Sequence, residues 1–417
     1  MENNNLNEQN RKGWKKGFFT IAFGQTISLI GSSAVQFALI WWLASETSSP
    51  LMLSFASLFA FLPQLLLGPF AGVWVDRLHR KTVIICADLF IGAVATVFAF
   101  SFLIWNPPYW LVCVVLGARA VGNVFHTPAI QAAMPMLVPR EELIRANGWN
   151  QFMQSGAFML GPVIGAAMYG VFPIPVILLS DLLGAVVACL TVAVVKIPEI
   201  EREQQKHPDF IGEIKEGITI YLQDKKLCNV TLAMAICMVF FMPLGSFYPL
   251  MTSDYFKASA WHAGLNQLLY AVGMMIGAVA ISSLGTIKNK LLVVRIGLLA
   301  IGIISLLCGI LPQNMTGFWM FAVLCTLLGA TMNIYNIPYV AYIQEHIPKE
   351  AQGRAFSLMG SLMSVTLPIG LIVAGPVAEN FGVPLWFLIG GTGMIIVTLF
   401  SEAVTLLKKE NRSNDQN

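Results

Sequence analysis

Gly72-Val-Trp-Val-Asp76-Arg77-Leu-His79-Arg80-Lys81 is a short charged turn between two long apolar runs, 51–74 and 82–104. Each run holds the ~20 apolar residues that a helix rising 1.5 Å per residue needs to cross a bilayer. Working outward from this turn, the same alternation fills the chain. Twelve runs are expected to span: 18–44, 51–74, 82–104, 109–131, 147–170, 175–196, 227–251, 261–284, 291–310, 317–342, 355–378 and 384–406. They are continuously apolar rather than alternating, so they predict helices and not barrel strands. The first is too long for a cleaved signal peptide, and no small-residue cleavage site follows it.

Composition excludes the other classes. Of 417 residues, 56% are hydrophobic and only 11% charged, and mean hydropathy is +0.71. Soluble domains carry roughly 25% charged residues. A net charge of +3 gives no reason to expect nucleic-acid binding. Seven cysteines lie in or beside apolar runs without a C-x-x-C pair, so neither a metal site nor a disulfide framework is expected. No G-x-x-x-x-G-K-[ST] phosphate loop is present. The chain is therefore expected to be no enzyme and to need no cofactor, drawing instead on an ion gradient or on a substrate's own gradient.

Basic residues orient the spans. With twelve spans, 23 of the 25 Lys and Arg fall on the side that holds both termini. Lys257 lies in an opposite loop and Arg119 lies within a span. By the positive-inside rule that side, with the long central segment, is cytoplasmic. A cytoplasmic (inner) membrane is the expected location.

The chain also repeats. Val138-Pro-Arg-Glu-Glu-Leu-Ile-Arg145-Ala-Asn returns 209 residues later as Ile347-Pro-Lys-Glu-Ala-Gln-Gly-Arg354-Ala-Phe. The expected organisation is a six-helix half over 1–197, a linker over 198–226 and a second six-helix half over 227–417. Within the linker, Phe210, Ile211, Ile214, Ile218, Tyr221 and Leu222 share one helical face. That pattern predicts an amphipathic helix lying along the inner membrane surface as a tether.

Several polar residues lie inside spans. Arg119 is about ten residues from the outer end of span four, roughly 15 Å deep. A charge there costs about 3 kcal/mol unless paired or hydrated. Asp88 and Asp181 lie within spans three and six, and Glu402 is near enough to the exit of span twelve to snorkel. Arginine does not deprotonate, but Arg119 can hold a carboxylate's charge or shape a wet polar cavity, and the carboxylates are the candidate proton carriers. Asp181 is the first choice and Asp88 the second. His126 suits packing or turn bonding as well as proton handling. Gln25, Gln36, Asn123, Gln154, Phe241, Asn333, Asn336 and Tyr339 are candidates for a substrate cavity, although helix–helix hydrogen bonding explains each polar one alone.

Gly72, Asp76, Arg77, Arg80 and Lys81 resemble the G-x-x-x-D-R-x-G-R-K signature of the major facilitator superfamily, departing at His79. Gly156, Gly161, Pro162 and Gly165 resemble the G-P-x-x-G motif of its drug exporters. Arg119-Ala-Val-Gly122 is similar to their R-x-x-x-G motif, with the glycine one residue early. These resemblances imply a cytoplasmic latch at the first motif and antiport-type helix packing at the second. Span one lacks the acid found there in several multidrug exporters. Trp14-Lys15, Gly24-Gln25 with Ser28-Leu29-Ile30, Phe125-His126-Thr127-Pro128-Ala129, Phe210-Ile211 with Lys215-Glu216-Gly217, and Gly353-Arg354 with Phe356-Ser357-Leu358 resemble Mef-type macrolide efflux proteins. That resemblance implies proton-coupled macrolide export by a monomer in a lipid bilayer, beside an ATP-binding partner protein. Export of a siderophore or other metabolite by the same fold is the alternative. A non-transporting receptor or scaffold is the alternative from another class.

Overall fold

The computed structural model describes residues 2–139, 142–197, 210–285 and 287–414. Thirteen α-helices carry the described chain, and no strand occurs among these residues. They are α1 (Glu2–Thr47), α2 (Pro50–Arg77), α3 (Arg80–Ile104), α4 (Trp110–Ala133), α5 (Leu143–Val171), α6 (Ile174–Val194) and α7 (Phe210–Gln223). The rest are α8 (Lys225–Leu250), α9 (Ala260–Ser283), α10 (Lys290–Gly309), α11 (Met315–His346), α12 (Lys349–Phe381) and α13 (Val383–Asn414). Eleven are long and apolar enough to cross a membrane. The helix over the expected fifth span, α5, is not among them. Its first turns carry Asn147, Asn150, Gln151 and Gln154, which dilute its apolar character.

Polar loop residues set where several helices begin. Asp224 accepts from the backbone N–H groups of Lys226 and Leu227 at the start of α8. Asn289 and Asn314 accept likewise at the starts of α10 and α11. Each satisfies donors that the first helical turn leaves without an intrahelical partner.

The chain divides into two compact units. The first comprises Met1–Thr47 and Phe55–Glu203, the second Ser48–Ser54 and Gln204–Asn417. In the first, α1 packs on α5 and α6, and α3 packs on α4 and α6. In the second, α8 packs on α12 and α13, and α10 packs on α11 and α13. Shifting each helix of the first unit to its sequence counterpart thus reproduces all four pairings.

The linker departs from expectation. Residues 198–209 lie outside the described ones. Helix α7 forms, but it docks into the second unit instead of resting only on a membrane face. Tyr221 is buried, donates to the Ala355 carbonyl at 3.2 Å, and lies 3.4 Å from the Tyr339 hydroxyl. Glu216 pairs with Arg354. Ile218 and Leu222, which share the apolar stripe, remain exposed. The stripe is wider than the contact, and a hydroxyl at its edge seeks buried partners. Burial raises the Tyr221 phenol above its ordinary range.

Candidate functional site

The first unit buries two polar clusters, both built on one face of α1. Gln25 and Ser32 are seven residues apart, two turns or about 10.5 Å. Arg119 and His126, also seven apart, stand on α4, which supplies one cation or imidazole to each cluster.

In the first cluster an Arg119 Nη2 lies 2.8 Å from an Asp181 carboxylate oxygen. Arg119 is 5% exposed and Asp181 1%. The same nitrogen donates to the Ser32 carbonyl at 3.2 Å. The Ser32 hydroxyl donates to the other Asp181 oxygen at 2.6 Å. The guanidinium–carboxylate contact is ionic without in-line hydrogen-bond geometry, and Arg119 Nε and Nη1 are buried with no hydrogen-bond partner among the described residues. A buried pair of this kind gives up hydration worth several kcal/mol per ion and recovers it only with good geometry and full satisfaction. The arrangement therefore holds charge but does not lock it.

In the second cluster Gln25 Nε2 donates to Asp88 Oδ2 at 3.0 Å. His126 Nε2 lies 2.9 Å from Gln25 Oε1 and 3.4 Å from Asp88 Oδ1. Asp88 is 4% exposed. The packing-or-turn alternative for His126 is thus replaced by a contact with a carboxylate on another helix.

The loop cations hold helix ends. Lys81 donates to the carbonyls of Ala193 and Val195 at the end of α6. Arg80 donates to the Ala132 carbonyl in the last turn of α4 and reaches Met136 Sδ. Both place positive charge on the negative end of a helix dipole. Arg77 is exposed. Gly72 and Asp76 lie within α2, but their surroundings fall outside what the structure describes.

On α5, a Cβ at Gly161 would collide with the Ser33 side chain of α1, and one at Gly165 would sit 2.5 Å from the Ala34 carbonyl oxygen. Gly156 faces open space. Pro162 lies within the helix. Both close glycines approach α1 of their own unit, the helix that carries Gln25 and Ser32.

The cavity candidates differ in exposure and partners. Gln25 belongs to the Asp88 cluster. Gln36 and Asn123 are exposed, while Gln154, Phe241 and Asn336 are half-buried. Asn333 donates to the Met274 carbonyl at 2.7 Å, a helix–helix bond. Tyr339 must be corrected: it is fully buried and lies 2.7 Å from the Thr231 hydroxyl, so it lines no open space here.

Glu402 is a second correction. It pairs with Arg295 at 2.7 Å instead of snorkelling, and Arg295 also donates to Thr405 at 2.6 Å. Since α10 starts at Lys290, Arg295 is already more than a turn inside it and not in the basic loop. Glu402→Ala is expected to lower the thermal stability by about 2 kcal/mol, because it strips a buried guanidinium of its counter-charge. Glu345→Ala, at the more exposed pair with Lys290, should cost under about 1 kcal/mol. Thermal melts of the purified variants compare the two.

Membrane-length helices enclosing paired charges define a polytopic membrane protein with a polar interior. The sequence pattern of the Major Facilitator Superfamily matches residues 21–309 and 230–417, and the chain belongs to that family. It is 38% identical to macrolide efflux protein A of Streptococcus pyogenes over 397 residues, 95% of this chain and 98% of that protein. It is 37% identical to macrolide efflux protein A of Enterococcus faecalis, over 76% of this chain and 97% of the relative. Among solved structures, a mutant form of the nucleoside transporter NupG superposes with a TM-score of 0.74 at 11% identity, covering 94% of this chain and 99% of NupG. That likeness concerns the fold alone.

Proposed function

We propose that the chain exports hydrophobic drugs, macrolides first among them, by proton antiport across a bacterial inner membrane. Its twelve spans form two six-helix halves with both termini cytoplasmic. The macrolide reading draws on the two macrolide efflux relatives. The antiport reading is carried by one observation, the buried ion pair between Arg119 and Asp181 with Ser32 between their helices.

The chemistry follows from opposing influences on one carboxyl. A neighbouring guanidinium favours carboxylate, and burial favours the neutral acid. While Arg119 holds Asp181, the proton is off. A helix movement that draws them apart leaves a buried, unpaired carboxylate, which takes a proton from whichever side is open. Arg119 keeps its charge throughout and turns to another acceptor, for which Nε and Nη1 stand ready. Drug and proton then occupy the half in alternation.

A pump-deficient bacterium expressing the chain tests this. Raised tolerance to 14- and 15-membered macrolides, abolished by a protonophore, is expected. Unchanged tolerance at verified expression rejects the macrolide assignment. At the loop, Asp76→Asn removes one charge at constant size. Efflux should fall several-fold with normal membrane insertion, and undiminished efflux at equal expression removes the latch from the mechanism.

A further inference from the structure

We propose that Gln25, Asp88 and His126 form a second proton-holding site, two helical turns along α1 and α4 from the Arg119–Asp181 pair. Only its role in transport rests on the antiport reading above; its titration does not.

The hydrogen positions follow from the partners. His126 Nε2 faces Gln25 Oε1 and Asp88 Oδ1, both acceptors. That nitrogen therefore carries the hydrogen, and Nδ1 is the atom that takes up a proton. Gln25 donates to Asp88 and accepts from His126, so one amide fixes both the carboxylate and the imidazole tautomer. Uptake of one proton at Nδ1 converts imidazole to imidazolium. No heavy-atom bond changes, and the charge of the cluster goes from −1 to 0.

Among the described residues, the groups facing His126 are few. From α3 comes Asp88, and α1 brings only the neutral Gln25. Cys189 of α6 lies within electrostatic reach of Asp88, as does Cys86 of Cys189. Arg119 on α4 is engaged by Asp181. The proton on His126 is therefore governed chiefly by Asp88.

The second unit supplies an internal control against a purely structural role. Adding the repeat offset of 209 to residues 25, 88 and 126 gives Met234, Gly297 and Tyr335. The register is sound, since a Cβ at Gly297 would lie 2.7 Å from the Tyr335 Cβ. The same helix crossing thus forms with glycine against tyrosine and no charge. The first cluster behaves alike: residues 32, 119 and 181 correspond to Phe241, Leu328 and Gly390. Packing of this architecture needs none of the four ionisable groups, and burying charge is costly. Their confinement to one unit points to proton chemistry.

Histidine-labelled full-length protein in nanodiscs provides the test. Of five histidines, the His126 NMR signal is the one that His126→Gln removes. It is expected to respond to pH, and that response is expected to change in Asp88→Asn. Gln25→Met, which copies the second unit, should shift it as well and serves if Asp88→Asn misfolds. A His126 signal that is constant with pH, or unmoved by both variants, overturns the site. In macrolide-transporting proteoliposomes, the protons moved per drug should fall by about one in His126→Gln; an unchanged count overturns its part in coupling. The titration is read without drug, so a chain that moved no macrolide would still give it. A non-titrating His126 in a chain that exports macrolide would sink this site alone.

Discussion

Asp181→Asn is expected to abolish drug-dependent proton movement while drug binding stays measurable. The amide keeps the size of the carboxyl and can still accept from Ser32, but it can neither hold Arg119 by charge nor carry a proton. Arg119→Leu should do more. It leaves Asp181, 1% exposed, without its cation, and removing one partner of a buried pair costs about 3–5 kcal/mol. Both transport and thermal stability should fall. The double variant Arg119→Leu/Asp181→Ala approaches what the second unit already has at Leu328 and Gly390, and it leaves no lone charge. It should recover most of the stability lost in Arg119→Leu and none of the transport. Proton flux in proteoliposomes and melting temperature separate the two properties. Normal proton-coupled efflux by Asp181→Asn would refute the assignment. Stability that failed to recover in the double variant would mean the pair serves the fold.

The second large effect lies at the α1–α5 contact. Gly165→Val drives a branched side chain onto the Ala34 backbone, which cannot rotate away. Overpacking of this kind costs about 1–3 kcal/mol. Because α1 carries Ser32 and Gln25, displacing it disturbs both charge clusters. Gly161→Leu meets the Ser33 side chain, which yields more readily, so its cost should be smaller. Gly156→Ala meets nothing and should match the parent in melting temperature and efflux. Equal behaviour of the three variants would contradict the close-contact account.

Most of the fold was legible because membrane helices announce themselves by uninterrupted apolar length. Helix α5 read less clearly, since Asn147, Asn150, Gln151 and Gln154 share its opening turns. Arg119, Asp88 and Asp181 each stood out as a charge that hydrocarbon does not tolerate alone. Their partners did not, because sequence gives a residue's depth along a helix but not which neighbour it faces. Nothing in the sequence therefore sets Ser32 apart from the other polar residues of α1. Arg295 and Glu402 both fell inside the expected spans 291–310 and 384–406, yet their pairing stayed hidden, because two depths along separate helices do not say that the helices meet. Tyr339 looked like cavity lining, yet its hydroxyl finds Thr231 and Tyr221 inside the second unit. The spacing of Tyr221 on α7 predicted an apolar face but not a hydrogen-bonded anchor.

Helix α1 sets a condition on how charge and drug communicate. Its side chains touch both acidic groups, at Gln25 and at Ser32, and it is one continuous rod from Glu2 to Thr47. A stiff rod transmits displacement along its length, so a rotation that opens one site alters the other in the same motion. Binding free energies linked through such a shared element are reciprocal: whatever a proton on one cluster does to the affinity of the other, the reverse holds by the same factor. A ligand that pressed on any part of α1 would enter that balance without touching a carboxylate.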